Sequence, residues 1–238
     1  MNVTVHTDTQ TDTRNPAPPH HQKEHNTIIL RLAETPEEIK AAQRLRYKIF
    51  YQEFNITPPT HVMAEERDYD AYDDYADHLI VIDESIPDPH HRIVGTYRLF
   101  QQSRLPSDLP FYSSHEFDIS PLLKSGGKLL ELGRSCVLPD YRTKYVMQRL
   151  WQGIADYLST HDIDLMFGCA SFQGTDPMAL IDQLSYLHHY HTPPENLYPV
   201  ATPDCTRMSA TARSFSCASF NACWPCCPPC PRPCAPTP

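Results

Sequence analysis

The sequence contains no run of apolar residues that could cross a membrane. A membrane-spanning helix needs about 18 or more consecutive apolar residues, and no window of the chain comes near that length. The chain also starts without the basic residues and apolar stretch of a secretory signal, because residues 1–26 are rich in Thr, His, Asn, Asp and Pro. We therefore predict a disordered polar extension over residues 1–26 and a soluble, cytoplasmic protein with at most peripheral contact to the inner face of the cell membrane.

Basic residues are in deficit, with 20 Lys and Arg against 29 Asp and Glu and a formal charge of −9. A general nucleic-acid binder needs cations to neutralise phosphates, so a nucleic-acid partner is not predicted. Acidic residues crowd one short segment: Glu65, Glu66, Asp68, Asp70, Asp73, Asp74 and Asp77. This segment lacks the central Gly and closing Glu of a calcium-binding EF-hand loop. It is either a solvated loop or a loop that attracts a cationic small substrate.

Cysteine is scarce before residue 205 and crowded after it. The Cys/Pro-rich tail, residues 204–238, holds seven of the nine cysteines. Its Cys223-x-x-Cys226 pair lacks the preceding strand and following helix of a redox motif. Cysteines between 226 and 234 are suitable zinc ligands by type, but no second knuckle stands at a suitable spacing. We predict no metal site and an unstructured tail, of the composition that a reading-frame change near residue 204 would produce.

Residues 27–203 have the periodicity of a folded domain. Strand-like runs occupy 27–32, 78–82, 92–100, 129–137 and 164–170. Thr35, Pro36 and Glu38 form a capping box that begins a first helix, a second helix has apolar spacing from Val146 to Leu158, and Asp176 is the N-cap of a third. The stretch 101–127 is polar and broken by prolines, so it is predicted as a long connection with one short helix. The order predicts an α/β fold with a mixed sheet.

Glu131 and Arg134 interrupt the apolar strand at 129–137. A buried charge persists only when it is paired, hydrogen-bonded or used as a base, so these residues form either a bracing ion pair or a catalytic site. Strict strand alternation places them on opposite faces, so they meet only if the strand bulges, and Gly133 is the predicted position of the bulge. Arg46 is a similar exception on the apolar face of the first helix, either as a side chain that snorkels to solvent or as part of a site.

The order of elements resembles the Gcn5-related N-acyltransferase fold. Ordered motifs resemble the bacterial ornithine lipid N-acyltransferases in particular, over roughly residues 28–203. These motifs lie at 45–50, 76–79, 94–99, 130–137, 167–172, 174–177 and 187–189. The resemblance implies an acyltransferase domain over 27–203, with further C-terminal strands missing or replaced by the tail. A more distant likeness is to acyl-homoserine lactone synthases, through Arg46, Glu131 and Arg134.

This resemblance implies that a 3-hydroxyacyl chain moves from an acyl carrier protein thioester to the α-amino group of L-ornithine, the first step of ornithine lipid synthesis, with no cofactor. Glu131 is then the candidate base, directly or through water, with Arg134 beside it and backbone N–H groups at the bulge for the oxyanion. A covalent route through Cys136 or Cys169 is the less favoured alternative.

The remaining implied roles divide between acceptor and donor. For the acceptor, Arg98 and Arg134 are candidates for the carboxylate, and one of three aspartates for the side-chain ammonium. Arg46 is a candidate for ordering the acceptor loop, and Ser135 for a further contact. The three aspartates are Asp70, Asp74 and Asp77. The donor candidates are Val137, Arg142, Ser171 and Thr175.

The segment 142–147 departs from the wider superfamily. Bulky residues stand where that superfamily has glycines around coenzyme A phosphates, which favours a donor that stays attached to its carrier protein. Two other hypotheses remain open: an acyl-homoserine lactone synthase-like enzyme, and an inactive interaction or metal-binding protein.

Overall fold

A mixed five-stranded sheet forms the centre of the computed structural model, which describes residues 27–170, 172 and 176–203. The strands are β1 (Ile28–Leu32), β2 (Asp77–Asp83), β3 (Ile93–Gln101), β4 (Phe117–Asp118), β5 (Leu129–Val137), β6 (Leu165–Phe167) and β7 (Val200–Ala201). The order in the main sheet is β1-β2-β3-β5-β6. Its neighbours are antiparallel except for the parallel pair of β5 and β6, while β4 and β7 pair separately. The predicted mixed α/β sheet is confirmed.

Several predictions concern parts of the chain outside the described residues. These are the polar extension 1–26, the Cys/Pro-rich tail 204–238, and the donor candidates Ser171 and Thr175. They stay predictions.

The helices follow the caps that the sequence contains. They are α1 (Pro36–Tyr47), α2 (Thr60–Glu65), α3 (Ser120–Leu123), α4 (Lys144–His161) and α5 (Ile181–His191). At α1, Thr35 Oγ1 accepts a hydrogen bond from the N–H of Glu38 at 3.2 Å. The Glu38 carboxylate reaches back to the N–H of Glu34 at 2.8 Å, so the capping box closes one residue earlier than the usual form. Asp176 caps a 3₁₀ turn that leads into α5.

The period-two pattern of β2 divides the core between two helices. Leu79 and Val81 pack toward α4, whose apolar face includes Leu150. Ile80 and Ile82 point to the other face and pack against α1, with Leu45 at the contact. The sheet is therefore a middle layer with α1 on one face and α4 on the other.

α1 continues into a wider π-helical turn over Lys48–Glu53. The chain then forms α2 and the acidic segment, residues 65–77, before it enters β2. The long connection after β3 contains one short α-helix, α3, as predicted, together with two 3₁₀ turns and β4.

Gly168 lies against the backbone of β5, just beyond the last residues that β5 and β6 pair, Glu131 and Phe167. A Cβ at Gly168 would lie 2.2 Å from the carbonyl oxygen of Leu132, so only glycine fits there. In the part of the chain that the structure describes, no helix is long and apolar enough to span a membrane.

Candidate active site

The bulge that the sequence predicts in β5 is confirmed, immediately after Gly133. Tyr97 of β3 faces two residues of β5, Arg134 and Ser135, where regular pairing supplies one. Arg134 takes a left-handed conformation, with φ of 51°, which costs about 1–2 kcal/mol for a residue with a Cβ. Ser135 is exposed, and its side chain is a hydrogen-bond partner of Tyr97.

The bulge brings the side chains of Glu131 and Arg134 to the same face of the sheet. Leu130 and Leu132 pack in the core beneath α4, so Glu131 points to the opposite face. There the Arg134 guanidinium lies over the ring of Phe50, 5.5 Å from its centroid. The two charged residues thus share one site without forming an ion pair among the described contacts.

Glu131 is held by donors from the connection between β3 and β4. Its Oε2 accepts the N–H of Tyr112 at 2.8 Å, and its Oε1 accepts the N–H of Ser113 at 2.7 Å. The Ser113 hydroxyl also donates to Oε1. The carboxylate is only 2% exposed, so this clamp fixes both of its oxygens.

Burial raises the pKa of Glu131 above its ordinary value, because the hydrogen bonds from Ser113 and Tyr112 oppose the desolvation without cancelling it. No described cation forms an ion pair with this carboxylate; Arg98 is near enough only for a weaker opposing effect. A buried carboxylate with a raised pKa is suited to act as a general base near neutral pH.

Arg134 lies beside the clamp and is the partly accessible cation of the site. Its guanidinium is 5.7 Å from the ring centroid of Tyr112 and its Nε is 3.5 Å from Asp68 Oδ2. The side chain remains 28% exposed. A planar guanidinium between two aromatic rings is well placed to receive a carboxylate from solvent.

Arg46 is fully buried and orders the acidic segment. Its Nε lies 2.9 Å from Asp68 Oδ2 and its Nη1 lies 2.8 Å from Asp73 Oδ1. The side chain is 0% exposed, so the alternative of a snorkelling arginine was wrong. Burial by itself would raise the pKa of Asp73, but its ion pairs, chiefly with Arg46, outweigh that effect and lower it.

Three of the predicted acceptor residues, Arg98, Asp70 and Asp77, already have partners. Arg98 is 1% exposed and pairs with Asp70 at 2.7 Å, so a substrate carboxylate reaches it only by displacing that aspartate. Asp77 is bound by Arg104 at 2.5 Å. Asp74 is exposed and lines a cleft between α1 and the acidic segment. Of the three predicted aspartates, Asp74 is therefore the most accessible to an ammonium group.

On the donor side, Arg142 is held by other groups. It forms a bidentate ion pair with Glu53, at 2.7 and 2.6 Å. Its Nε donates to the carbonyl of Val137 at 3.0 Å. Val137 itself is buried in the core, so its side chain is a core residue and only its backbone faces Arg142.

The two candidate cysteine nucleophiles differ in position. Cys136 is buried, and this burial raises the pKa of its thiol to about 12, so it is a core side chain and not a nucleophile. Cys169 is an exposed residue just after β6, and its Sγ–H donates to Ser113 Oγ at 3.4 Å. Among the described residues, no group of three or more His, Cys, Asp or Glu side chains could hold a metal.

Tyr112, Ser113, Asp68 and Asp73 complete the site without having been predicted as site residues. The two aspartates were visible only as members of the acidic segment. Tyr112 and Ser113 follow Phe111, which is buried at 3% exposure. The adjacent aromatic residues Phe111 and Tyr112, inside a polar connection, are the one sequence signal that pointed to a packed segment there.

Comparison with known proteins finds a matching domain model and curated relatives of similar sequence. The acetyltransferase (GNAT) domain model matches residues 45–152. The chain is 48% identical over 166 residues to an L-ornithine N(alpha)-acyltransferase from Agrobacterium fabrum, a match that covers 68% of this chain and 57% of that protein. It is 44% identical over 173 residues to an enzyme of the same name from Rhodobacter capsulatus, covering 72% and 67%.

Among solved structures, an N-acyl amino acid synthase from uncultured soil microbes shares 14% identity at a TM-score of 0.43, covering 66% of this chain and 76% of that one. The matches to the curated relatives span between 55% and 67% of those proteins' lengths.

Proposed function

The chain belongs to the family of L-ornithine N(alpha)-acyltransferases, and from that premise we propose that it transfers a 3-hydroxyacyl chain from acyl carrier protein to the α-amino group of L-ornithine. The observation that carries this proposal is Glu131, a buried carboxylate with a raised pKa and no ion-pair partner among the described residues. It lies beside the bulge of β5, where the backbone leaves the regular ladder.

The reaction requires the loss of a proton from the attacking amine. An amine attacks a thioester as the free base, so a base near the nitrogen must accept the proton as the C–N bond forms. Glu131 is the base in this proposal. The tetrahedral intermediate carries a negative oxygen, which backbone N–H groups of Arg134 and Ser135 at the bulge would stabilise.

The acceptor is held by opposite charges at its two ends. We assign the α-carboxylate of ornithine to Arg134, because its guanidinium is partly exposed while Arg98 is buried and paired. The side-chain ammonium is assigned to Asp74 in the cleft beside α1. Arg46, together with Asp73, keeps the acidic segment in the position from which Asp74 faces that cleft.

The donor is assigned to acyl carrier protein because the start of α4 lacks glycines. Thr143 caps this helix and Arg142 precedes it in a bidentate ion pair, so the turn offers no bare backbone cradle for the diphosphate of free coenzyme A. A carrier protein brings its pantetheine phosphate without that diphosphate. Arg142 is the candidate cation for this phosphate, provided that Glu53 releases it.

We place the enzyme in the cytoplasm with peripheral membrane contact, because its product is a lipid. Apolar side chains after the π-helical turn are suited to such contact: Phe54, Ile56 and Met63 are 49%, 54% and 48% exposed.

The test is acyl transfer by purified, folded protein, followed by mass spectrometry. The proposal expects N-acyl-ornithine from 3-hydroxyacyl carrier protein and ornithine, and far less product with the same acyl group on coenzyme A. Replacement of ornithine by S-adenosylmethionine tests the homoserine lactone alternative in the same assay. Product from S-adenosylmethionine but not from ornithine would overturn the acceptor assignment.

A further inference from the structure

The carboxylate of Glu131 is too deeply buried for an amine to reach directly. It is 2% exposed, and the backbone of Tyr112 and Ser113 covers both of its oxygens. A base that works on a substrate in an open cleft needs either contact with that substrate or a conducting group between them. The clamp blocks direct contact between the amine and Glu131, so the proton needs an intervening group to reach the carboxylate.

The Ser113 hydroxyl is in the right place to conduct a proton. On one side its O–H donates to Glu131 Oε1. On the other side its oxygen accepts the weak Sγ–H of Cys169 at 3.4 Å. Ser113 is itself only 3% exposed, whereas Cys169 is an exposed residue just after β6. The described hydrogen bonds therefore lead from the buried carboxylate through this hydroxyl to an exposed residue.

Two features separate this hydroxyl from a purely structural donor. The N–H groups of Tyr112 and Ser113 already supply one hydrogen bond to each oxygen of Glu131. The Ser113 hydroxyl is therefore a second donor to Oε1, which already accepts the N–H of Ser113. In addition, its only other described partner is a thiol, a weak donor that an amine N–H readily displaces.

We propose that Ser113 is a catalytic proton relay, in which Oγ takes the proton of the acceptor amine while its own hydroxyl proton passes to Glu131 Oε1. This inference rests on the proposed function. As the nitrogen bonds to the thioester carbon, its excess proton moves to Oγ and the Oγ proton moves to the carboxylate. The C–S bond then breaks, and the proton returns from Glu131 through Ser113 to the departing thiolate, so that amide and thiol form and the relay is restored.

Single-turnover acylation of ornithine by full-length variants tests the relay. Ser113→Ala is expected to slow acyl transfer about a hundredfold, the scale of a positioned proton-transfer group, with little change in the ornithine concentration that gives half-maximal rate. Ser113→Thr retains a hydroxyl and is expected to restore most of the rate.

Ser85→Ala is the matched control. Ser85 also donates its N–H and its hydroxyl to a single oxygen of a buried carboxylate, that of Asp83, at 2.9 and 2.6 Å. Its loss removes the same hydrogen bond at a distant place and is expected to leave the rate per folded molecule unchanged.

Rates in mixtures of light and heavy water give a readout that a structural role would not change. A relay moves two protons together, so the rate of wild type and Ser113→Thr should depend on deuterium content with a curve, and that of Ser113→Ala along a line. Full activity in folded Ser113→Ala, or a linear dependence in wild type, would overturn the relay while ornithine acylation stands. Absence of product from wild type would overturn both.

Discussion

Asp83 and Glu131 are two buried carboxylates held by nearly the same donors, yet their acidities move in opposite directions. In each, one oxygen accepts both the N–H and the hydroxyl of a serine, Ser85 or Ser113. The other oxygen of Glu131 accepts the N–H of Tyr112, and the other oxygen of Asp83 accepts the Tyr141 hydroxyl at 2.5 Å. Asp83 also has a side-chain hydrogen bond from Thr27. The pKa of Asp83 is lowered, whereas that of Glu131 is raised.

The balance between burial and hydrogen bonding explains the difference. Asp83 ends β2 and lies just beneath the exposed Ser85, so burial raises its pKa less than the hydrogen bonds from Ser85 and Tyr141 lower it. Glu131 lies within the sheet, paired with Phe100 on one side and Phe167 on the other, and burial outweighs its donors. The same kind of serine clamp therefore accompanies a stabilised charge at Asp83 and a protonatable base at Glu131.

Amide substitutions separate the two carboxylates most strongly. Glu131→Gln should reduce acyl transfer by about a hundredfold to ten-thousandfold, because it removes a positioned general base. Asp83→Asn should lower stability but leave the rate per folded molecule unchanged. Mass-spectrometric product measurement, normalised to folded protein by circular dichroism, compares them. Equal losses of rate in the two variants would show that burial alone, and not base catalysis, makes Glu131 essential.

The two clamps also show what the sequence could predict. Asp83 and Ser85 are two residues apart, and Asp-x-Ser is a local turn pattern. Ser113 and Glu131 are 18 residues apart, and the connection between them has no periodicity that would indicate its path. The bulge in β5 was predictable because two charges on a strand had to share a face. Its clamp depends on long-range packing of Phe111 against Phe167, with ring centroids 5.0 Å apart.

The acidic segment illustrates the same limit. Arg46 on an apolar helix face and a cluster of acids were both evident in the sequence. Their pairing was not, because Asp68 and Asp73 reach Arg46 only after the chain turns back over α1. The sequence pattern predicted which charged residues stand in unusual positions, and tertiary packing determines which of them form ion pairs.

Arg46 extends the comparison to a buried cation that forms ion pairs with two buried carboxylates. Arg46→Met should lower the free energy of unfolding by about 3–5 kcal/mol, because it removes the nearest counter-charge from two buried carboxylates. Of their described contacts with arginine, Asp68 and Asp73 then keep only the longer ones with Arg134 and Arg98, at 3.5 and 3.4 Å. Urea denaturation measures it. Arg31→Met is the control, since Arg31 pairs with Glu38 at 34% and 24% exposure, and about 0–1 kcal/mol is expected there. Similar losses in both variants would contradict the role of burial.

Tyr141→Phe tests the charge of Asp83 itself. Removal of a hydrogen bond to a charged group should cost about 1.5–3 kcal/mol at neutral pH. The cost should shrink under acidic conditions, where Asp83 takes up a proton. Urea denaturation at both pH values checks this, with Tyr69→Phe as the control because its hydroxyl meets Glu65 in an exposed position. A cost that does not change with pH would mean that Asp83 is already protonated at neutral pH.

The smallest expected effect is the pH dependence of stability, at about 1.4 kcal/mol for each unit of pKa change. Its direction is opposite for the two carboxylates. A lowered folded-state pKa stabilises the protein above the unfolded value, about 4 for Asp, and that contribution disappears as the pH falls through the folded value. A raised pKa acts in reverse, because the folded state then binds its proton more tightly and gains stability as the pH falls toward the unfolded value. On acidification, wild type should therefore lose stability relative to Asp83→Asn and gain it relative to Glu131→Gln. Urea midpoints across a pH series measure both slopes. Slopes of equal sign would mean that the balance of burial and hydrogen bonding does not differ between the two clamps.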